Sequence, residues 1–428
     1  MNRLRLFLLS IVVNLGMVSL AQFPQRLTPA TPESAGFSSS RLKRIDEAMN
    51  EWVSKGWMQG CEALIIRNGK IVYYHPAGYN NLEAKTPMRQ DAIFRIASQT
   101  KAITSVAIMI LFEEGKLLLS DPVSRFIPSF RKQSVLDRFN PADSSYTTIP
   151  AEREVTIKDL LTHTSGIGYA MIGSKEANAI YAKNGLTAGI GGTSESLLSA
   201  MTRLGTLPLM HQPGQKWTYG LNTDLLGCLV EVVSGQTLDE FFRQRIFEPL
   251  GMKDTYFTIP AAKADRLVSL YTEDSIGQLR PSTGGLLNGP VKPDYPLQPK
   301  TYFSGGAGLS SPIIDYGIFL QMLLNGGSFN GKRILSPNTV RMMTMNQLGN
   351  TEFRGDDKFG LGFQIVSEKN GNVPAQAGTY SWGGAYSTSY WVDPKQHLVM
   401  LFYRQLQRST HGDVVDRFRA MAYAALTD

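Results

Sequence analysis

Three serines in this 428-residue chain stand three positions before a lysine: Ser40 with Lys43, Ser98 with Lys101, and Ser129 with Lys132. On a helix, residues three apart share a face, so the hydroxyl and the amine can meet. A serine hydroxyl is a weak nucleophile unless a base or a charge adjoins it. A lysine in apolar surroundings can take that part, because burial disfavours its charged form. A Ser-x-x-Lys pair is therefore a candidate for acyl transfer through a covalent intermediate. Context separates the three. Ser40 sits at a helix start, where serine is an ordinary cap. Ser129-Phe130-Arg131-Lys132 lies in a charged stretch expected to be solvated. Only Lys101 runs on into an apolar segment, Ala102 to Leu111, that would bury it. Helix capping remains the plain competing role for Ser98, and the motif alone does not decide between the two.

Two further segments bear on the choice. Trp217-Thr218-Tyr219-Gly220-Leu221-Asn222 leads into an apolar run ending at Val233. A tyrosine at a loop-to-helix junction can point its hydroxyl into a cleft, and beside a cationic lysine it can act as a phenolate base. Tyr219 is one of 17 tyrosines, so simple packing competes with that reading. Trp382-Gly383-Gly384-Ala385 comes just before the strand-like Ser387 to Val392. Paired glycines on or beside a strand let a ligand approach the backbone closely, though a bulge or turn uses them too.

The elements that must position these residues follow from the hydrophobic pattern. Ser38-Ser39-Ser40 precedes Arg41 to Val53, whose apolar positions recur at helical spacing. Glu62 to Arg67 and Lys70 to His75 flank Asn68-Gly69, a strong short hairpin signal. From Ser98 to about Pro299 helical patterns dominate, as at Ala102 to Leu111, Ile157 to Leu161, Leu221 to Val233 and Leu238 to Ile246. Two stretches, Ser134 to Arg153 and Asp274 to Lys300, read as long loops or insertions. Strand composition returns at Gly360 to Val366, Ser387 to Val392 and Leu398 to Tyr403, and a helix closes the chain from Val414 to Ala425. Strands at both ends of a helical middle predict an α+β fold: an antiparallel sheet flanked by terminal helices, with an inserted all-helical domain. The expected division is 22–97 with 300–428 for the sheet and 98–299 for the mostly helical part.

At this point the chain resembles the class C β-lactamase-like serine hydrolases. The resemblance rests on Ser98-x-x-Lys101, the Tyr219 junction and Trp382-Gly383-Gly384 in that order. Leu160 to Gly166, Phe247 to Met252, Gly305 to Leu309 and Trp391 to Pro394 support it. It covers about residues 30 to 425 and implies a β-lactamase/penicillin-binding-protein-like fold. It also implies roles: Ser98 as the acyl-accepting nucleophile, Lys101 sharing its proton, and Tyr219 as general base. The backbone N–H groups of Ser98 and Ala385 would form the oxyanion hole. Two departures concern substrate. β-Lactamases of the family carry Tyr-x-Asn, whereas Leu221 stands at the matching position here and Asn222 falls one residue later. They also carry Lys-Thr-Gly, whereas Trp382-Gly383-Gly384 offers neither cation nor hydroxyl. The Trp-Gly-Gly form resembles the family VIII carboxylesterase branch, so a carboxylesterase is expected. A β-lactamase or D-amino-acid peptidase acting on cell-wall-like amides is the alternative. A non-catalytic penicillin-binding-like module is a further one. No Gly-x-Ser-x-Gly elbow exists, which disfavours an α/β-hydrolase.

Composition bounds the rest. With 43% hydrophobic and 18% charged residues the chain is a folded globular protein. Its net charge of +7 is scattered rather than clustered, so nucleic acid is not an expected partner. The expected partner is a small-molecule ester or amide. The five histidines and two cysteines show no metal-ligand spacing, and no cofactor is expected. Cys61 and Cys228 read as buried thiols, although an exported protein could pair them. Arg3 and Arg5, the apolar Leu6 to Leu20 and the small residues around Ala21 read as a signal peptide spanning residues 1–21. Cleavage after Ala21 would leave a periplasmic or secreted protein with no stable membrane insertion.

Overall fold

The computed structural model describes residues 26–186, 190, 195–284, 291–371 and 374–428. The expected signal segment, residues 1–21, lies outside them. A nine-stranded sheet organises the chain, and its strands come from both ends of the sequence. Across the sheet the order is Thr28–Pro29, Lys70–Asn81, Gly60–Arg67, Leu398–Tyr403, Thr388–Asp393, Tyr380–Gly384, Gln364–Ile365 and Lys358–Phe359. Thr86–Pro87 pairs with Lys70–Asn81 off this path. All pairings are antiparallel except that of Thr28–Pro29, which is parallel.

Strand Leu398–Tyr403 is apolar throughout because both faces of the sheet are covered there. In Leu398–Tyr403 all six residues are buried, and successive side chains point to opposite faces. Val399, Leu401 and Tyr403 join one core cluster; Leu398, Met400 and Phe402 join the other. Two terminal helices cover the second face. Ser39–Ser54 buries Leu42, Ile45, Met49 and Trp52, the period expected of an amphipathic helix, and Val414–Ala424 adds Phe418 and Ala422. Helices Thr100–Glu113 and Ile313–Leu324 carry the apolar surface of the first face, and Tyr316 and Leu320 pack into the same cluster as Leu401.

Several elements differ from what the pattern predicts. The helical middle is not purely helical. Within the stretch expected to be loop, Ser134–Phe139 and Tyr146–Pro150 form a hairpin, built from β-prone residues on the protein surface. Tyr271–Glu273 and Leu279–Pro281 form another. The expected strand Gly360 to Val366 shrinks to Gln364–Ile365, because Gly362 turns with φ +97°. Helix Leu238–Phe242 passes into a π-helical turn, Arg243–Phe247, instead of running straight. The cap of the first helix is Ser38, whose side chain accepts from the Arg41 N–H, and Ser40 lies inside the helix. Phe130 is buried although the stretch around Ser129 was expected to be solvated; Arg131 and Lys132 are exposed. Cys61 and Cys228 are buried free thiols in different core clusters. No helix among the described residues is long and apolar enough to cross a membrane.

The two-faced core sets an expected outcome for stability. Leu401 is fully buried, so Leu401→Ala should cost about 2–5 kcal/mol in urea unfolding. Leu118, 53% exposed, should change stability by no more than about 0.5 kcal/mol when made Ala.

Candidate active site

The short strand Phe94–Arg95 runs into a single 3-10 turn, Ala97–Gln99, and then into helix Thr100–Glu113. Ala97 has φ +41°, a left-handed conformation that costs a non-glycine residue on the order of 1 kcal/mol. Its surroundings hold the turn in place. The Ile96 N–H donates to the Leu309 carbonyl at 3.2 Å, and the Tyr316 hydroxyl donates to the Gln99 carbonyl at 2.7 Å. The Tyr403 hydroxyl fixes the Gln99 side chain at 2.5 Å. Ser98 is half-buried between buried neighbours. It does not cap the helix: Gln99 holds the cap position and makes no side-chain cap bond. Instead, Ser98 Oγ accepts from Tyr219 Oη at 2.7 Å and from Lys101 Nζ at 3.3 Å.

Lys101 is only 2% exposed and donates to three acceptors. Besides Ser98 these are Tyr169 Oη at 3.0 Å and the Gly306 carbonyl at 2.7 Å. Its ammonium also lies 4.6 Å from the Tyr219 ring centroid. Asp224 stands behind it as a buried acid. Burial pushes the Asp224 carboxyl up, against the Ser304 hydroxyl at 2.6 Å and the charge of Lys101. Tyr169 is buried beside Tyr219, and burial holds its phenol well above the usual range. It is therefore a neutral hydroxyl acceptor for Lys101 rather than a competing base.

The Tyr219 junction is clamped from the loop that follows helix Ile157–Leu161. The Thr218 N–H donates to the His163 carbonyl at 2.7 Å, and the Leu221 N–H to the Gly168 carbonyl at 3.0 Å. A Cβ on Gly220 would meet the Ile167 carbonyl oxygen at 1.9 Å, so no other residue fits there. Asn222 does not enter the cleft. Its amide donates to His163 Nδ1 at 2.9 Å and its oxygen accepts from Ser165 at 2.5 Å. Burial holds His163 well below the ordinary imidazole range, and Lys101 adds to that, so its ring, 5.1 Å from that of Tyr219, is neutral.

Trp382, Gly383 and Gly384 lie within a strand of their own, Tyr380–Gly384, rather than in a loop ahead of one. They pair with Tyr390, Ser389 and Thr388 on one edge. On the other edge the last paired residue is Ser381, opposite Gln364. The two glycines do different things. A Cβ on Gly384 would meet the Ile96 carbonyl oxygen at 2.3 Å, so Gly384 lets the strand touch the turn that carries Ser98. Gly383 lines the cavity, and a Cβ there would have only Thr388 O, at 3.1 Å, as a tight neighbour. Ser98, Tyr219, Trp382 and the exposed Ala385 line one cavity of about 430 Å³, within the usual range for small-molecule sites. Met171 and Ile172 supply an apolar side to it.

The structure thus brings together Ser98, Lys101, Tyr219 and the 382–385 segment. Sequence reasoning passed over Tyr169, Asp224, the Gly306 carbonyl, His163 and Arg354, the last of which also lines the cavity. Gly305 to Leu309 and Leu160 to Gly166 were singled out as segments, yet no residue spacing ties them to Lys101. Among the described residues no cluster of three or more His, Cys, Asp or Glu side chains could hold a metal.

Residues 43–425 match the β-lactamase family model, and the chain belongs to that family. It is 34% identical to Protein Rv1367c of Mycobacterium tuberculosis, over 83% of this chain and 88% of that protein. It is 31% identical to Esterase EstB of Burkholderia gladioli, over 93% of this chain and all of that protein. Among solved structures, EstCE1, titled a hydrolase with promiscuous acyltransferase activity, superimposes with a TM-score of 0.76 at 26% identity. That likeness covers 90% of this chain and 98% of EstCE1.

Three substitutions probe this geometry. Gly384→Ala should displace the Ser98 turn and lower kcat/KM about a hundredfold, since misplacement by about 1 Å costs that much. Gly383→Ala should cost only a few-fold. Tyr169→Phe removes an acceptor from a buried ammonium and should lower kcat roughly tenfold to a hundredfold. Steady-state assays on folded variants, checked by circular dichroism, read all three.

Proposed function

We propose that the protein is a serine hydrolase that cleaves carboxylic esters through an acyl-enzyme on Ser98. One observation carries the reading: Ser98 Oγ is hydrogen-bonded by both Tyr219 Oη and Lys101 Nζ at the wall of an open cavity. In this reading Tyr219 is the general base: deprotonated beside the Lys101 charge, it would accept rather than donate the hydrogen bond to Ser98 and take that proton. Ser98 Oγ then attacks the ester carbonyl carbon. The oxyanion that forms is held by the backbone N–H groups of Ser98 and Ala385, an effect worth a few kcal/mol per donor. Collapse breaks the bond to the alcohol, which leaves with the proton from Tyr219. Water then repeats the sequence on the acyl-enzyme, with Tyr219 again as base. The site would lie where segments 22–97 and 300–428 meet the mostly helical 98–299.

Trp382 supports esters over β-lactams. An indole donates one hydrogen bond but cannot neutralise a carboxylate fixed next to the scissile carbonyl. Its flat ring suits an acyl or aryl group. The names of Esterase EstB and of EstCE1 agree with this choice. We also propose that Met1 to Ala21 is removed on export and that the mature protein is periplasmic or secreted; N-terminal sequencing of the fractionated protein should read Gln22 first.

Ser98→Ala should abolish both ester hydrolysis and labelling by a phosphonate probe. Labelling retained at another serine would refute the assignment. Lys101 and Tyr219 should act as one unit, so Lys101→Ala with Tyr219→Phe should cost little more than the worse single change. Losses that multiply would mean the two do not share one proton path. Wild type should prefer p-nitrophenyl butyrate to nitrocefin by a wide margin in kcat/KM. The reverse preference, or stable acylation by a fluorescent penicillin without ester turnover, would transfer the protein to the β-lactamase or D-amino-acid peptidase reading.

A further inference from the structure

The cavity that holds Ser98 also contains charge that the proposed ester chemistry does not use. Two arginines, Arg354 and Arg419, and one acid, Asp416, line it. Arg419 is matched, because its Nη2 bonds Asp416 at 2.8 Å. Arg354 is not. Among the described residues no carboxylate lies within ion-pair distance of it, although Asp356 and Asp357 follow closely in sequence. Asp357 is turned away and buried, accepting from Gln364 Nε2 at 2.6 Å and Asn370 Nδ2 at 2.8 Å.

Arg354 is nevertheless held in place. Its Cζ lies 4.8 Å from the Trp382 ring centroid and 5.7 Å from that of Phe353. Its Nη1 donates to Gln364 Oε1 at 3.3 Å, and Gln364 is itself fixed by Asp357. A guanidinium stacked on an indole loses water from one face and keeps its in-plane donors. Such a fork is suited to a carboxylate, which it can bind through two parallel N–H bonds.

We propose that Arg354 is a specificity-determining residue that selects substrates bearing a carboxylate on the part remote from the scissile ester. The proposal rests on the ester-hydrolase reading. The position of the anion follows from the contacts: Tyr219 touches Ser98, Trp382 packs 5.7 Å from Tyr219, and Arg354 lies beyond on Trp382. The anion can sit on the acyl side or on the alcohol side of the ester, and matched substrates distinguish the two.

The test compares wild type, Arg354→Gln and Arg354→Lys on two pairs of esters. The acyl pair is the p-nitrophenyl monoester of suberic acid and p-nitrophenyl octanoate. The alcohol pair is 4-butyryloxybenzoate and its methyl ester. In one pair Arg354→Gln should lower the anionic-to-neutral ratio of kcat/KM roughly tenfold to a hundredfold, mainly through KM. Arg354→Lys should restore part of it, and neutral esters should change no more than a few-fold. A ratio unchanged in both pairs overturns the proposal. Calorimetric titration of the same anionic esters into Ser98→Ala, with and without Arg354→Gln, separates this from the esterase reading. Binding that weakens without Arg354 supports the anion site even if wild type turns over no ester, and binding indifferent to Arg354 refutes it.

Discussion

An ammonium group taken out of water must be surrounded by acceptors, and the site is built around meeting that demand for Lys101. Its three acceptors come from three separate parts of the chain: the Ser98 turn, Tyr169 after the His163 loop, and the Gly306 carbonyl. Each must arrive at about 3 Å, so the helix carrying Lys101 cannot shift against either loop without leaving a buried donor unpaired. The close backbone approaches at Gly220 and Gly306 serve the same end. A Cβ on Gly306 would meet Asp224 Oδ2 at 2.5 Å, and one on Gly220 would overlap the Ile167 carbonyl.

The sheet supplies the opposite wall. The edge formed by Trp382 to Gly384 reaches the turn carrying Ser98 because Gly384 lacks a side chain where it meets Ile96. The rings of Trp217, Tyr219, Trp382 and Phe359 then pack across the junction, Trp217 stacked on Tyr219 and Phe359 edge-on to both tryptophans, with centroid separations between 5.6 and 5.9 Å. An aromatic wall of this kind holds Tyr219 by packing, with the Lys101 ammonium 4.6 Å from its ring centroid.

Much of this was legible in the chain. The Asn68-Gly69 hairpin, the terminal helices and the strand Leu398 to Tyr403 follow from local pattern, since period and turn chemistry are local properties. Ser98 in its 3-10 turn and Lys101 in the first turn of the following helix stand three apart, so their proximity, though not their role, was readable from spacing. Tyr219 and Trp382 to Ala385 could be nominated only by their setting and by resemblance to a family, because no spacing relates residues 121 or more positions apart.

Residue types and local periodicity therefore determined which groups could do chemistry and which elements carry them. Tertiary structure alone decided their company. It made Tyr169 rather than a solvent molecule the partner of Lys101. It turned Asn222 toward His163 and away from the cleft, and gave Gly384 to close contact with the Ser98 turn and Gly383 to the cavity wall. It also laid Arg354 on the indole of Trp382. In each case the deciding term is a contact between segments far apart in sequence. Burial and the need to satisfy every buried polar group act across the fold, and neither is written in any one stretch of the chain.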